Sequence, residues 1–207
     1  MADQFSLFGA PPEETDIPCL APAAPGFRCE LFFAVQPEQE DAERISAQAE
    51  AVRQALNLYG GSVVSAPRLH ISLHGLGRYD AAPKELLARA LDAAARVRLA
   101  PFEVAFDQLM SFGRPDAKTD AYPLVLTESV PDPGLLALHQ RLGMALADAG
   151  IPVELPFHPH MTLSRHGKHV PSQPQAPMRW TARRFVLIWS HLGKTRYERA
   201  GDWLLTA

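Results

Sequence analysis

At 207 residues the chain is long enough for one sizeable domain, or for two small lobes sharing a core, without disulfides or metals to hold it together. A net charge of −3 argues against a protein that grips duplex nucleic acid over a broad basic face, and 47% hydrophobic with 21% charged residues excludes wholesale disorder. Cys19 and Cys29 are too few for a disulfide framework or a four-thiolate zinc site, and no signal-peptide pattern or bilayer-length apolar run is present, so reduced thiols and a cytoplasmic location are expected.

Residues 1–26 mix proline, alanine and acidic residues without a sustained period and predict a flexible tail, leaving a single domain over residues 27–207. Residues 30–35 (ELFFAV) predict a strand and residues 38–56 a helix, in which Ile45, Ala49, Val52 and Leu56 recur at spacings of 4, 3 and 4. Its acidic first turn, with Glu38, Glu40 and Asp41, suits the positive end of the helix dipole. After Gly60-Gly61, residues 68–76 (RLHISLHGL) alternate Leu69, Ile71 and Leu73 with His70, Ser72 and His74, the pattern of a strand with one polar face.

Residues 83–97 predict a second helix, and residues 101–106 and 122–127 two strands joined by a loop at 111–121. A third helix has Asp132 as N-cap, Pro133 at its first position, Leu135, Leu138, Leu142 and Leu146 as its stripe and Gly150 as its stop. Residues 158–164 (HPHMTLS) repeat the earlier strand pattern, with His160, Thr162 and Ser164 alternating against Met161 and Leu163. Residues 166–177 read as a proline-rich loop, and residues 184–192 and 197–205 as closing strands.

The two motif strands lie 160 − 70 = 90 residues apart and each follows a helix, so a two-lobed α+β domain with a cleft between the lobes is expected. His70-Ile71-Ser72-Leu73 and His160-Met161-Thr162-Leu163 share one order: histidine, apolar, hydroxyl, apolar. Residues two apart on a strand share a face, so each motif presents an imidazole and a hydroxyl together while the apolar pair anchors the other side. Among 8 histidines one such match arises by chance, but two copies in matching halves do not fit chance.

Displacement at phosphorus needs one group to take a proton from the attacking oxygen and another to give one to the leaving oxygen. Histidine supplies both forms near neutral pH. Hydroxyls can bond the non-bridging oxygens as charge shifts in the transition state. No metal is required by this scheme.

These residues resemble the two-histidine (2H) phosphoesterase superfamily, and within it the LigT-like RNA 2′,3′-cyclic phosphodiesterases, also called 2′-5′ RNA ligase-like proteins. Residues 31–37 (LFFAVQP) are similar to that family's opening strand, 69–77 (LHISLHGLG) to its first motif and 157–165 (FHPHMTLSR) to its second with the closing arginine. Residues 186–197 (VLIWSHLGKTRY) resemble its terminal strand and turn, so the likeness covers about residues 27–205.

The resemblance implies two pseudo-symmetric lobes with mainly antiparallel sheets lining a central, positively charged cleft and helices on the outside. It implies hydrolysis of RNA 2′,3′-cyclic phosphate ends to 2′-phosphomonoesters, with a reversible 2′-5′ ligase activity in some relatives. By the family's pattern His70 is the proton donor, His160 the proton acceptor, and Ser72 and Thr162 hold the phosphate. Many relatives carry arginine two residues before the second histidine, where this chain has His158, and a small residue where it has His74. Both are therefore candidate cleft residues, and Arg165 a candidate phosphate ligand.

Arg68 carries less weight, and Phe27, Phe33, Phe157 and Trp189 fit a core better than a base-stacking role. His139, His166 and His169 are expected in solvent, while His191 can face either way. The expected ligands are RNA ends or small nucleotide cyclic phosphates, with no membrane, no cofactor, no metal and a monomeric chain. Three rival readings are a phosphodiesterase for another cyclic nucleotide or a 2′-5′-linked oligonucleotide, a non-catalytic RNA-end-binding module, and a metallohydrolase using His158 and His160.

Overall fold

Two strand–helix–strand units of the same design set the architecture. The computed structural model describes residues 28–115, 121–153 and 156–207, so the expected flexible tail over residues 1–26 lies outside the described residues. The first unit is β1 (Cys29–Val35), α1 (Gln39–Ala55), the short β2 (Ser62–Val63) and β3 (Ile71–Tyr79). Next come α2 (Lys84–Ala94) and β4 (Phe102–Ser111). The second unit is β5 (Tyr122–Thr127), α3 (Pro133–Asp148) and β6 (Met161–His166), closed by β7 (Gln173–Ala182), β8 (Arg184–His191) and β9 (Arg196–Leu204).

The helices form where their stripes and caps place them. The Asp132 carboxylate accepts the Leu135 N–H at 2.9 Å, satisfying one of the N–H groups that a helix start leaves without a partner. Leu135, Leu138, Leu142 and Leu146 are fully buried. In α1, Ile45 and Ala49 are buried, while Val52 and, just past the helix end, Leu56 pack partly covered against the same core.

All the strands join one antiparallel sheet in the order β7-β4-β5-β6-β3-β1-β8-β9, with β2 added beside β6. One half holds β1, β3, β8 and β9 and the other β4 to β7. They meet where β3 touches β6, through the single pair Ile71–Met161. The three helices bury their apolar residues with Leu31, Phe33, Phe106, Leu126 and Phe185 on one face of the sheet. A smaller cluster on the other face, Phe32, Ala34, Val186 and Ile188 with Tyr197 against it, leaves that side open for a cleft. The α+β fold with two pseudo-symmetric halves is the one expected.

Two expectations need correction. β7 begins inside the segment read as a proline-rich loop and takes up its last residues, 173–177, because an edge strand has one side free of hydrogen bonds and tolerates Pro174 and Pro177. His139 and His166, expected in solvent, are only 5% and 2% exposed. His139 faces the sheet from α3, and His166 ends β6 instead of starting a loop.

Candidate functional site

His70 and His160 each stand one residue before a motif strand. The Ile71–Met161 pair lies between them, and the antiparallel order carried one residue either way sets His70 opposite Thr162 and Ser72 opposite His160. A local two-fold axis through that pair therefore gives each side one imidazole and one hydroxyl from different strands. All four residues line one cavity of about 220 Å³ on the open face of the sheet.

The imidazoles are held alike. Nδ1 of His70 lies 2.8 Å from the Arg68 carbonyl, and Nδ1 of His160 lies 2.9 Å from the His158 carbonyl. A carbonyl only accepts, so each ring donates through Nδ1–H, and its Nε2 is the nitrogen left to exchange a proton with a ligand. The Phe32 and Tyr197 rings pack 5.2 and 5.6 Å from His70, and Phe112 packs 4.8 Å from His160.

Burial pushes His70 down to about 4; the hydrogen bond to the Arg68 carbonyl opposes this, and repulsion from His160 and from the Arg68 guanidinium adds to it. His160 is also lowered by burial, against the hydrogen bond to His158 and with repulsion from the His158 ring. Burial thus favours neutral rings.

Cations complete the walls. Arg165 lines the cavity from β6, and Arg68 lines it from the turn before β3, with Cζ 4.7 Å over the Tyr197 ring. Glu30 is a lining carboxylate, paired with Arg78 at 3.4 Å. The backbone at Arg165 is clamped by β2, whose Ser62 pairs with it. Gly61 (φ +74) permits this approach, since a Cβ there would lie 2.0 Å from the Arg165 carbonyl oxygen.

The same irregularity follows each motif. Between β1 and β3 the register runs from Ala34–Ser72 to Phe33–His74, passing over Leu73; between β5 and β6 it runs from Val125–Thr162 to Leu124–Ser164, passing over Leu163. A bulge of one residue reverses the face on which every later side chain falls. His74, expected at the cleft, is therefore corrected to the helix side, where it is 4% exposed. Its Nε2–H donates to the His139 carbonyl at 2.9 Å, and its ring stacks 4.0 Å from His139, which stacks 4.2 Å from Phe157. Gly143 of α3 makes room, for a Cβ there would meet His74 at 3.1 Å.

His158 is exposed and is absent from the cavity wall, so it acts on the site only through its carbonyl and, at a remove, through its ring's repulsion of a proton on His160. Of the expected residues, the cavity brings together His70, His160, Ser72, Thr162 and Arg165, and leaves out His74 and His158. Phe32, Phe112 and Tyr197 were not singled out, and Arg68 was given little weight. Only the face of the strand separates Phe32 from its neighbour Phe33, which is buried in the core.

Roomier hollows of about 600 and 510 Å³ lie elsewhere, one around Gln36, Pro67 and Arg199, the other around Cys29, Trp189 and His191. Neither gathers a pair of imidazoles. His191 turns to this second hollow, with Nδ1 3.6 Å from the Cys29 sulfur. Among the described residues no group of three His, Cys, Asp or Glu is placed to hold a metal ion. Nor, among them, is any helix long and apolar enough to cross a membrane.

Comparison with known proteins agrees with this geometry. The family model for the 2′-5′ RNA ligase superfamily matches residues 39–194. The chain is 29% identical over 181 residues to the RNA 2′,3′-cyclic phosphodiesterase of Escherichia coli (strain K12), covering 85% of this chain and 96% of that protein. A crystal structure described as a phosphoesterase superposes with a TM-score of 0.67 at 26% identity, over 86% of this chain and 99% of the other. The crystal structure of E. coli LigT complexed with 3′-AMP gives 0.65 at 26% identity, over 87% and 99%. Both motif strands and the helices that lead into them fall within the matched span, and the chain belongs to the 2′-5′ RNA ligase superfamily as a LigT-like two-histidine phosphoesterase.

Proposed function

We propose that the chain hydrolyses RNA 2′,3′-cyclic phosphate ends to 2′-phosphomonoesters by metal-independent acid–base catalysis between two histidines. The observation that carries this reading is the pair of imidazoles from equivalent strands around one small cavity, each with Nδ1 tied to a carbonyl and Nε2 left for the ligand. The E. coli relative's name, an RNA 2′,3′-cyclic phosphodiesterase, supports the substrate class.

In this scheme Nε2 of His160 takes a proton from water as its oxygen attacks phosphorus. The bond to the 3′-oxygen breaks, and Nε2–H of protonated His70 supplies the proton that leaves a free 3′-hydroxyl. Ser72 and Thr162 bond the non-bridging oxygens, and Arg165 offsets their growing charge. The two rings end with their protonation states exchanged and reset through solvent. A ribose 5′-hydroxyl in the place of water would form a 2′-5′ linkage by the same steps, which is the ligase reaction, and the reverse would cleave it.

The substrate's own negative charge raises both rings from the low values that burial sets, which the donor role of His70 needs. Residues 27–207 act as one catalytic unit in this reading, because each half supplies one histidine. Product analysis tests it: an RNA ending in a 2′,3′-cyclic phosphate should yield a 2′-phosphate and a 3′-hydroxyl, at the same rate with and without a chelator. A 3′-phosphate product, or loss of turnover on chelation, would contradict the mechanism.

A further inference from the structure

The cavity carries one more fixed cation than its reaction uses. A cyclic phosphodiester bears a single negative charge, and Arg165, the two hydroxyls and a protonated imidazole already answer it. Arg68 lines the same cavity, has no carboxylate partner among the described residues, and keeps its Nε buried without a hydrogen-bond partner. The carboxylate that lines the cavity, Glu30, is engaged by Arg78. A guanidinium on a cavity wall with no carboxylate partner has N–H groups to offer an anion held in that cavity.

Its position is fixed as well. The guanidinium carbon lies 4.7 Å over the Tyr197 ring, which itself packs edge-on to His70 at 5.6 Å and to Phe32 at 5.9 Å. The Arg68 carbonyl in turn holds Nδ1 of His70. The motif related to it by the local two-fold has His158 at this place, exposed and outside the cavity wall, so the charge is peculiar to the His70 side. The cavity of about 220 Å³ is smaller than the roughly 300–1,000 Å³ of sites that enclose a drug-sized ligand, so it holds the reacting ribose phosphate and leaves the rest of a strand at its rim.

We propose that Arg68, seated on Tyr197, binds a second phosphate of the substrate, the phosphodiester that joins the terminal nucleotide to the one before it. The site then takes the end of an RNA strand in preference to a free nucleoside cyclic phosphate. This rests on the reading of the cavity as a cyclic phosphodiesterase. It also links recognition to chemistry: Arg68 opposes a proton on His70, and an anion paired with the guanidinium removes that opposition.

Three substrates test it: a dinucleotide ending in a 2′,3′-cyclic phosphate, the same dinucleotide with an uncharged methylphosphonate linkage, and the nucleoside 2′,3′-cyclic phosphate. The parent chain should favour the charged dinucleotide over both others in kcat/KM by about tenfold or more, the scale of one hydrogen bond to a charged group. Arg68→Gln should bring the three rates together, and Arg68→Lys should restore part of the preference. The subsite is refuted by a parent chain that treats the charged and neutral linkages alike, or by Arg68→Gln slowing all three equally. If the parent chain turns over none of the three, the cyclic phosphodiesterase reading itself fails, an outcome distinct from either.

Discussion

Two neutral imidazoles make a poor anion site and a good proton relay. Burial keeps both His70 and His160 below the ordinary histidine value, so in the proposed mechanism positive charge comes first from Arg165 and Arg68 and only then from a ring that takes up a proton beside the phosphate. In the proposed mechanism the hydroxyls of Ser72 and Thr162 have a different duty, because they gain most when the non-bridging oxygens carry the most charge. Removing either one, as Ser72→Ala or Thr162→Ala, should lower kcat by about ten- to a thousandfold and change KM little, the behaviour of a donor aimed at the transition state. Steady-state kinetics on a nucleoside 2′,3′-cyclic phosphate checks this, and a pure KM effect would move these residues from catalysis to binding. At this scale the motif residues were legible, since His70 with Ser72 and His160 with Thr162 repeat one order on one strand face. His74 was misplaced, because strict alternation has no knowledge of a bulge.

The repeated bulge is the device that separates chemistry from packing along each motif strand. Before it Ser72 and Thr162 face the cavity; after it His74 and Ser164 turn to the helix side, where each is buried. Short-range sequence cannot show the bulges, as both arise from how the neighbouring strands β1 and β5 pair with them. The edge strand β7 escaped notice for a related reason: its prolines exclude a central strand but not an outer one. The capped helix α3 was legible from Asp132 to Gly150, because cap, stripe and stop all lie in one local segment. At the level of elements β2 makes a sharp forecast. Gly61→Val places a branched side chain against the Arg165 carbonyl in a backbone conformation that L residues avoid, so β2 must leave β6. Thermal unfolding should show a loss on the order of 1–3 kcal/mol, and the KM for a cyclic phosphate should rise as Arg165 loses its support. Unaltered stability and KM would mean that the clamp is incidental.

Across the whole molecule, five histidines are held below their ordinary value by burial: His70 and His139 at about 4, with His74, His160 and His166 also lowered. The unfolded chain takes protons on these rings near pH 6.5 while the folded chain does not. Their stabilising effect is therefore complete above that pH and is lost as the pH falls towards about 4. Glu128, pushed up to about 7 by burial, works the other way, because its folded form takes a proton more readily than its unfolded form. Denaturant unfolding should show lower stability at about pH 5 than at about pH 7.5, with a steeper acid loss in Glu128→Gln, since roughly 2 kcal/mol per ring held near 4 is at stake over that range. A flat profile in both proteins would contradict this. The two-fold plan of the molecule was visible in the order of its elements, but the depth of its histidines was not, since His139 and His166 are buried by partners distant in sequence.

The central claim is that two imidazoles from equivalent strands work as one unit on one phosphorus. Its most direct measurement is a kinetic comparison of His70→Ala, His160→Ala and the double variant on an RNA 2′,3′-cyclic phosphate, with circular dichroism to check that each remains folded. Each single variant should lose about a thousandfold or more in kcat, and the double variant should be little worse than either, because a relay missing one member has already stopped. A folded single variant that keeps near-parental turnover, or losses that simply multiply in the double variant, would contradict it.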